Sequence, residues 1–273
     1  PNEKVALEVG IGASFGGARA LVVMKHVGVN VAADPLFTLS YTGVKGGLVL
    51  VTADDPELHS SQNEQDSRFY ARFAMIPALE PADQQECYDM TREAFEISEK
   101  FGLPVMLRIT TRLAHSRAGV ARKDPVPENA LALPEDPTQF ILLPAYARMR
   151  YKGLLQQQPN LEKAGEETGF NRLTEGSDPK LGVIACGIAY NYYMEVAQAH
   201  DLDYPVLKIS QYPVPGALLR ELAGSVDALL FLEEGYPLLE EQAGNPFTDH
   251  PVLHGRLNGT LPRDGELSPA IVQ

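Results

Sequence analysis

The sequence predicts an α/β fold class with two doubly wound parallel-sheet domains. Three observations predict it. Residues 19–24 (RALVVM), 47–52 (GLVLVT) and 104–110 (PVMLRIT) are short, nearly continuous apolar runs, the signature of strands buried on both faces. Segments of helical period separate them. After a break, the same alternation resumes on a smaller scale at 180–185, 206–209 and 227–232.

The elements follow in order. Val5, Ala6, Val9 and Ala13 are spaced as one face of a helix over 2–15. Asn2 suits its N-cap, and Glu3 places an acid in the first turn, where the helix dipole favours one. Strand 19–24 comes next, then a helix over 29–41 stopped at Gly43, then strand 47–52 and a turn at Ala53-Asp54-Asp55-Pro56. Residues 59–72 read as a polar loop entering a short helix, and 73–79 as a strand. A long amphipathic helix spans 82–101, between Pro81 and Gly102, and precedes strand 104–110. The pattern fades between Ala114 and Pro179, apart from a helix over 146–161. Helices at 189–200, 216–223 and 237–243 then alternate with the three later strands. The expected organisation is a domain at 1–115, a connector at 116–177, a domain at 178–245 and an extension at 246–273. The chain begins at Pro1 without an initiator Met and closes on a polar stretch, so a piece of a longer polypeptide is expected.

Composition excludes several functions. Lys and Arg number 23 against 36 Asp and Glu, a formal charge of −13, and no basic cluster is available for a phosphate backbone. No apolar run approaches the roughly 20 residues that span a bilayer. Cys87 and Cys186 lie in unrelated contexts, which excludes a disulfide scaffold or cysteine-ligated cluster within these residues and suits a reducing cytoplasm. Nucleic acid and membrane are therefore not expected partners. The glycines at 10, 12, 16 and 17 invite a dinucleotide reading, but their spacing is G-x-G-x-x-x-G, and the strand that follows leaves no room for a crossover helix. Close packing of this helix on a neighbour explains them better. No G-K-[S/T] phosphate loop is present, and no metal ligands are assigned.

Polar residues at the carboxyl ends of strands are the remaining candidates, since ligands of open parallel sheets sit there. Lys25 and His26 end one strand. Asp54-Asp55 and Glu233-Glu234 end two others, and helix capping is the commoner role for such acids. The octet His59-Ser60-Ser61-Gln62-Asn63-Glu64-Gln65-Asp66 is either a surface loop or a functional one. Arg68 and Arg72 can clamp a carboxylate or pair with Asp66 or Glu80.

Long words in the sequence carry a more specific likeness. Residues 1–9 (PNEKVALEV), 25–36 (KHVGVNVAADPL), 41–47 (YTGVKGG) and 59–66 (HSSQNEQD) closely resemble the alpha subunits of indolepyruvate ferredoxin oxidoreductase. These belong to the thiamine diphosphate-dependent 2-oxo acid:ferredoxin oxidoreductases. The resemblance is strong over 1–115 and looser beyond. It implies a pyrimidine-binding domain lacking its first strand, then a transketolase C-terminal-like domain. The Mg²⁺ and diphosphate site and the 4Fe-4S clusters would lie outside these residues. It implies oxidative decarboxylation of arylpyruvates such as indolepyruvate to acyl-CoA, with ferredoxin, coenzyme A, the 2-oxo acid and a beta subunit as partners. A dimer or hetero-oligomer is implied, and these 273 residues alone would be inert. Glu3 acquires a catalytic role by this likeness: a carboxyl group at N1′ of the aminopyrimidine favours the imino tautomer, whose N4′ removes the proton from thiazolium C2. His26 would assist proton transfer. Lys25, Gly28 and Asn30 would lie at the cofactor, and Arg72, with Arg68 second, would hold the substrate carboxylate. The alternatives are a sister 2-oxo acid:ferredoxin oxidoreductase, a non-catalytic assembly module, and, least favoured, a nucleotide-binding protein.

Overall fold

The computed structural model describes residues 2–243 and 251–273. Two compact units divide the chain. The first gathers Pro1–Asp54, Ser67–Leu79 and Gln84–Leu161, and the second gathers Asp55–Asp66, Glu80–Asp83 and Glu162–Gln273.

In the first unit α1 (Glu3–Phe15) leads into β1 (Ala20–Lys25), with Asn2 Oδ1 accepting from Val5 N at 3.1 Å as the cap. Then come α2 (His26–Val31), α3 (Ala33–Thr42) and β2 (Leu48–Asp54). The helix expected over 29–41 is broken at Ala32. Pro35 has no N–H to donate to Val31, so the ladder restarts rather than continuing. α4 (Ser67–Ala74) takes the front of the segment read as a strand. Its buried Arg68, Ala71 and Ala74 recur every three residues, and only Ala78–Leu79 remains as β3. α5 (Gln84–Phe101), β4 (Val105–Thr110), the short α6 (Thr111–His115) and α7 (Pro144–Glu167) complete the order.

Strands β1, β2, β4 and β3 lie side by side in that order, all parallel. β2 and β4 are buried almost throughout. β1 is covered on one face only: α1 seats Gly10 so close that a Cβ there would be 2.5 Å from Val22 Cγ2, while Leu21 and Val23 are 49% and 62% exposed. A Cβ on Gly12 would meet nothing within 4 Å, so of Gly10 and Gly12 only Gly10 serves packing.

The expected connector at 116–177 is not a free linker. Leu154 and Leu161 of α7 cluster with Leu103, and Tyr41, Met75 and Phe101 pack around them. That apolar contact places the helix with the first unit as far as Leu161. The irregular stretch before α7 is strapped down by polar bonds. Lys123 Nζ reaches Asp89 Oδ1 at 2.6 Å, Asn129 Nδ2 reaches Glu99 Oε1 at 2.7 Å, and Ala132 N donates to Gly16 O at 3.0 Å.

The second unit holds β5 (Arg172–Thr174), β6 (Gly182–Cys186), α8 (Ala189–His200), β7 (Val206–Ile209), β8 (Gln211–Tyr212), α9 (Gly216–Ala223), β9 (Ala228–Leu232), α10 (Leu238–Ala243), β10 (Val252–His254) and α11 (Pro269–Val272). Its sheet runs β10-β9-β6-β7-β5, parallel except for β5 against β7. β5 and β10 were not expected, being three residues each with exposed or half-buried side chains and therefore no apolar run. Glu233 caps α10, accepting from Leu239 N at 3.0 Å and Glu240 N at 3.1 Å. The boundary expected near 245 and the start of the extension at 246 lie outside the described residues. None of the described helices is long and apolar enough to cross a membrane.

Candidate functional site

The carboxyl edge of the first unit's sheet collects most of the candidates. α1 feeds β1 and packs back along it, so its first turn comes to the strand's far end, where α2 begins. There the Glu3 side chain lies over Gly28. A Cβ on Gly28 would be 2.5 Å from Glu3 Cγ, 3.2 Å from its Cδ and 3.1 Å from Met24 Cβ. Only glycine leaves this seat open. Glu3 is half-buried, and its carboxylate makes no hydrogen bond or ion pair among the described residues.

The neighbours are arranged by the same turn. Lys25, the last residue of β1, is half-buried at the cap of α2. His26 is wholly buried, with Nδ1 3.4 Å from Ala53 O on the adjoining strand. Asn30 is exposed and accepts a 3.0 Å hydrogen bond from the Tyr70 hydroxyl. Burial pushes that phenol's pKa up and keeps it a donor. Glu3, Lys25, His26, Gly28 and Asn30 thus share one edge.

The two arginines part company with this group. Ser67 N, at the start of α4, donates to Asp54 Oδ2 at the carboxyl end of β2. The segment after α4 pairs with Met106, near the amino end of β4. α4 therefore runs back along the sheet, away from the Glu3 edge. Arg68, its second residue, is 1% exposed and offers no face to a ligand. Arg72, in the last turn, is exposed and stands toward the amino side.

One cluster at the edge was not read from the sequence. Arg108 Nε bonds Asp54 Oδ2 at 2.6 Å, with both side chains 1% exposed. Asp54 also accepts from Ser67 Oγ at 2.5 Å and Thr52 Oγ1 at 3.3 Å. Asp54 thus accepts from the first backbone N–H of α4, a capping role. Arg108 gave no signal beyond being the one charged residue inside an apolar strand, which is itself a usable clue.

The polar octet belongs to the second unit and is pinned. Asp55 Oδ2 accepts from Ser60 N at 2.9 Å and Ser61 Oγ at 2.5 Å, and Asp66 Oδ2 accepts from Tyr236 N at 3.1 Å. His59 Nε2 approaches Glu266 at 3.4 Å and Glu57 at 3.9 Å, with His59 and Glu57 exposed and Glu266 half-buried.

Comparison with known proteins bears on this edge. A profile of the family described as pyruvate flavodoxin/ferredoxin oxidoreductase, thiamine diP-bdg (thiamine diphosphate-binding), matches residues 2–140. The indolepyruvate oxidoreductase subunit IorA of Methanothermobacter thermautotrophicus is 43% identical over 279 residues, covering 100% of this chain and 45% of the relative. The chain thus spans somewhat under half the length of that relative. Two solved structures share the fold. A 2-oxoglutarate:ferredoxin oxidoreductase from Magnetococcus marinus has a TM-score of 0.70 at 15% identity, covering 93% of this chain and 53% of that one. A split-gene transketolase, an inactive beta4 tetramer, has a TM-score of 0.56 at 16% identity, covering 93% and 72%.

Proposed function

As the chain belongs to the thiamine diphosphate-binding family of pyruvate flavodoxin/ferredoxin oxidoreductases, we propose that its first unit receives the aminopyrimidine half of thiamine diphosphate within an indolepyruvate:ferredoxin oxidoreductase. The whole protein would decarboxylate arylpyruvates oxidatively, pass the electrons to ferredoxin and deliver the acyl group to coenzyme A. The observation that carries the reading is Glu3: a half-buried carboxylate without a partner among the described residues, seated over a glycine at the carboxyl edge of a parallel sheet. Relatives named for indolepyruvate support the substrate class.

The residues present fit the pyrimidine half. Glu3 would hold the ring at N1′ and share a proton with it there. Gly28 clears the space in which that carboxylate lies. His26, buried beside Ala53, would hold or move a proton, and Lys25 and Asn30 would border the ring and the 2-oxo acid. When bound, thiamine diphosphate supplies an electron sink for the pair released with CO₂. The sequence contains no Gly-Asp-Gly motif, so Mg²⁺ and the diphosphate would be held by other polypeptide. With cysteines only at 87 and 186, the 4Fe-4S clusters would be ligated elsewhere too. A beta subunit and ferredoxin complete the electron path.

The test is Glu3→Gln in the complete oxidoreductase. Indolepyruvate-dependent ferredoxin reduction is expected to fall by about 100-fold or more, the scale of a lost acid–base group. Undiminished turnover would leave a non-catalytic assembly role. Comparing indolepyruvate, phenylpyruvate and pyruvate as substrates separates this enzyme from a sister 2-oxo acid:ferredoxin oxidoreductase.

A further inference from the structure

A second concave feature of the first unit lies away from the Glu3 edge. It is a cavity of about 630 Å³ between α3, α4 and α7, within the range of small-molecule sites. Phe37, Tyr41, Phe69, Phe73 and Tyr151 line it. Phe37 meets Phe73 edge-on with ring centroids 4.6 Å apart, and Tyr41 stacks on Tyr151 at 5.7 Å and 9°. Such walls receive a planar ring by offset stacking and edge contacts.

One charged residue joins these rings. The Arg72 guanidinium makes no hydrogen bond or ion pair among the described residues, and no acidic side chain lines the cavity. In a chain of net charge −13, this is a local cation with no acidic partner among the described residues. A guanidinium beside aromatic faces presents a planar, bidentate donor to a carboxylate. Tyr41 and Met75, in the cavity's lining, pack toward Leu103, just ahead of β4. The cavity therefore reaches toward the amino side of the sheet, opposite the edge that holds Glu3.

We propose that this cavity is a binding site for a small aryl carboxylate, with the ring between the aromatic walls and the carboxylate on Arg72, separate from the Glu3 edge. The inference goes beyond the thiamine reading and does not rest on it. Arg72 then serves an aromatic acid at a site of its own, and not the carboxylate of a substrate undergoing decarboxylation beside Glu3.

The chain contains no tryptophan, so the fluorescence of indole-3-acetate reports the ligand alone. Its anisotropy is expected to rise saturably on titration with the chain. Arg72→Leu is expected to raise Kd at least tenfold with an unchanged thermal midpoint, because the side chain is exposed and unpaired. Indole-3-acetamide, of the same shape without the charge, is expected to bind at least tenfold more weakly to the unaltered chain. Glu3→Gln is expected to leave binding as it was. No saturable binding at millimolar concentration, or equal binding by Arg72→Leu, overturns the proposal. So does binding lost in Glu3→Gln but kept in Arg72→Leu, an outcome that leaves the thiamine reading standing.

Discussion

At the scale of single residues, Gly28 is the most constrained position. A methyl group there would sit 2.5 Å from Glu3 Cγ and 3.1 Å from Met24 Cβ, so one of them must move. Gly28→Ala is expected to cost about 1–3 kcal/mol of stability, measured by urea unfolding, and to displace the Glu3 carboxylate. Asp54 is constrained electrostatically instead. Asp54→Asn preserves the shape but leaves the Arg108 guanidinium buried without its counter-charge. A loss of about 3–5 kcal/mol in the same unfolding measurement is expected. The sequence made Glu3 legible through the word that contains it, and His26 through its place after a strand. Arg68 and Arg72 illustrate the limit. Four residues apart, they share one helix face, yet one is 1% exposed and the other lies open a turn further along. Burial around a helix depends on what packs there, and local spacing does not record it.

Among the elements, apolar runs made the central strands legible and terminal ones obscure. β2, β4, β6, β7 and β9 are predominantly hydrophobic segments, whereas β5 and β10 gain strand character only by pairing with a neighbour. The strap before α7 was opaque for a related reason: it is held by individual polar bonds, and these have no period. Glu99 on α5 is one of its anchors. That carboxylate takes Arg19 in two bonds of 2.9 and 2.7 Å, Asn129 Nδ2 at 2.7 Å and Gly47 N at 3.0 Å. The Arg19 hydrogen bonds in particular hold its pKa down at about 2, below its usual 4.5. The stabilisation is complete above pH 4.5 and is lost as pH falls from there toward 2. It is on the order of 2–3 kcal/mol at most, since the side chain is partly solvated. Acid unfolding followed by circular dichroism should show this loss in the unaltered chain. Glu99→Gln should be less stable at neutral pH and lack this component of the acid dependence.

For the whole molecule, charge sets the solution behaviour. At neutral pH a formal charge of −13 opposes non-specific association, and near the sequence isoelectric point of about 4.9 that repulsion vanishes. The exposed Leu21 and Val23 on β1 then have little to oppose their self-association. Light scattering is expected to show a minimum of solubility near the isoelectric point, relieved on either side. Chain-wide alternation of strand and helix was enough to indicate two sheets. It did not show that the units interleave, because membership is decided by contacts between residues far apart in sequence.

That interleaving governs how the polypeptide comes into being. Asp55–Asp66 and Glu80–Asp83 leave the ribosome in the midst of the first unit but compact with Glu162–Gln273. Two short stretches of the nascent chain must therefore wait, without their partners, until Glu162–Gln273 has been translated. For the same reason no single protease nick releases either unit intact.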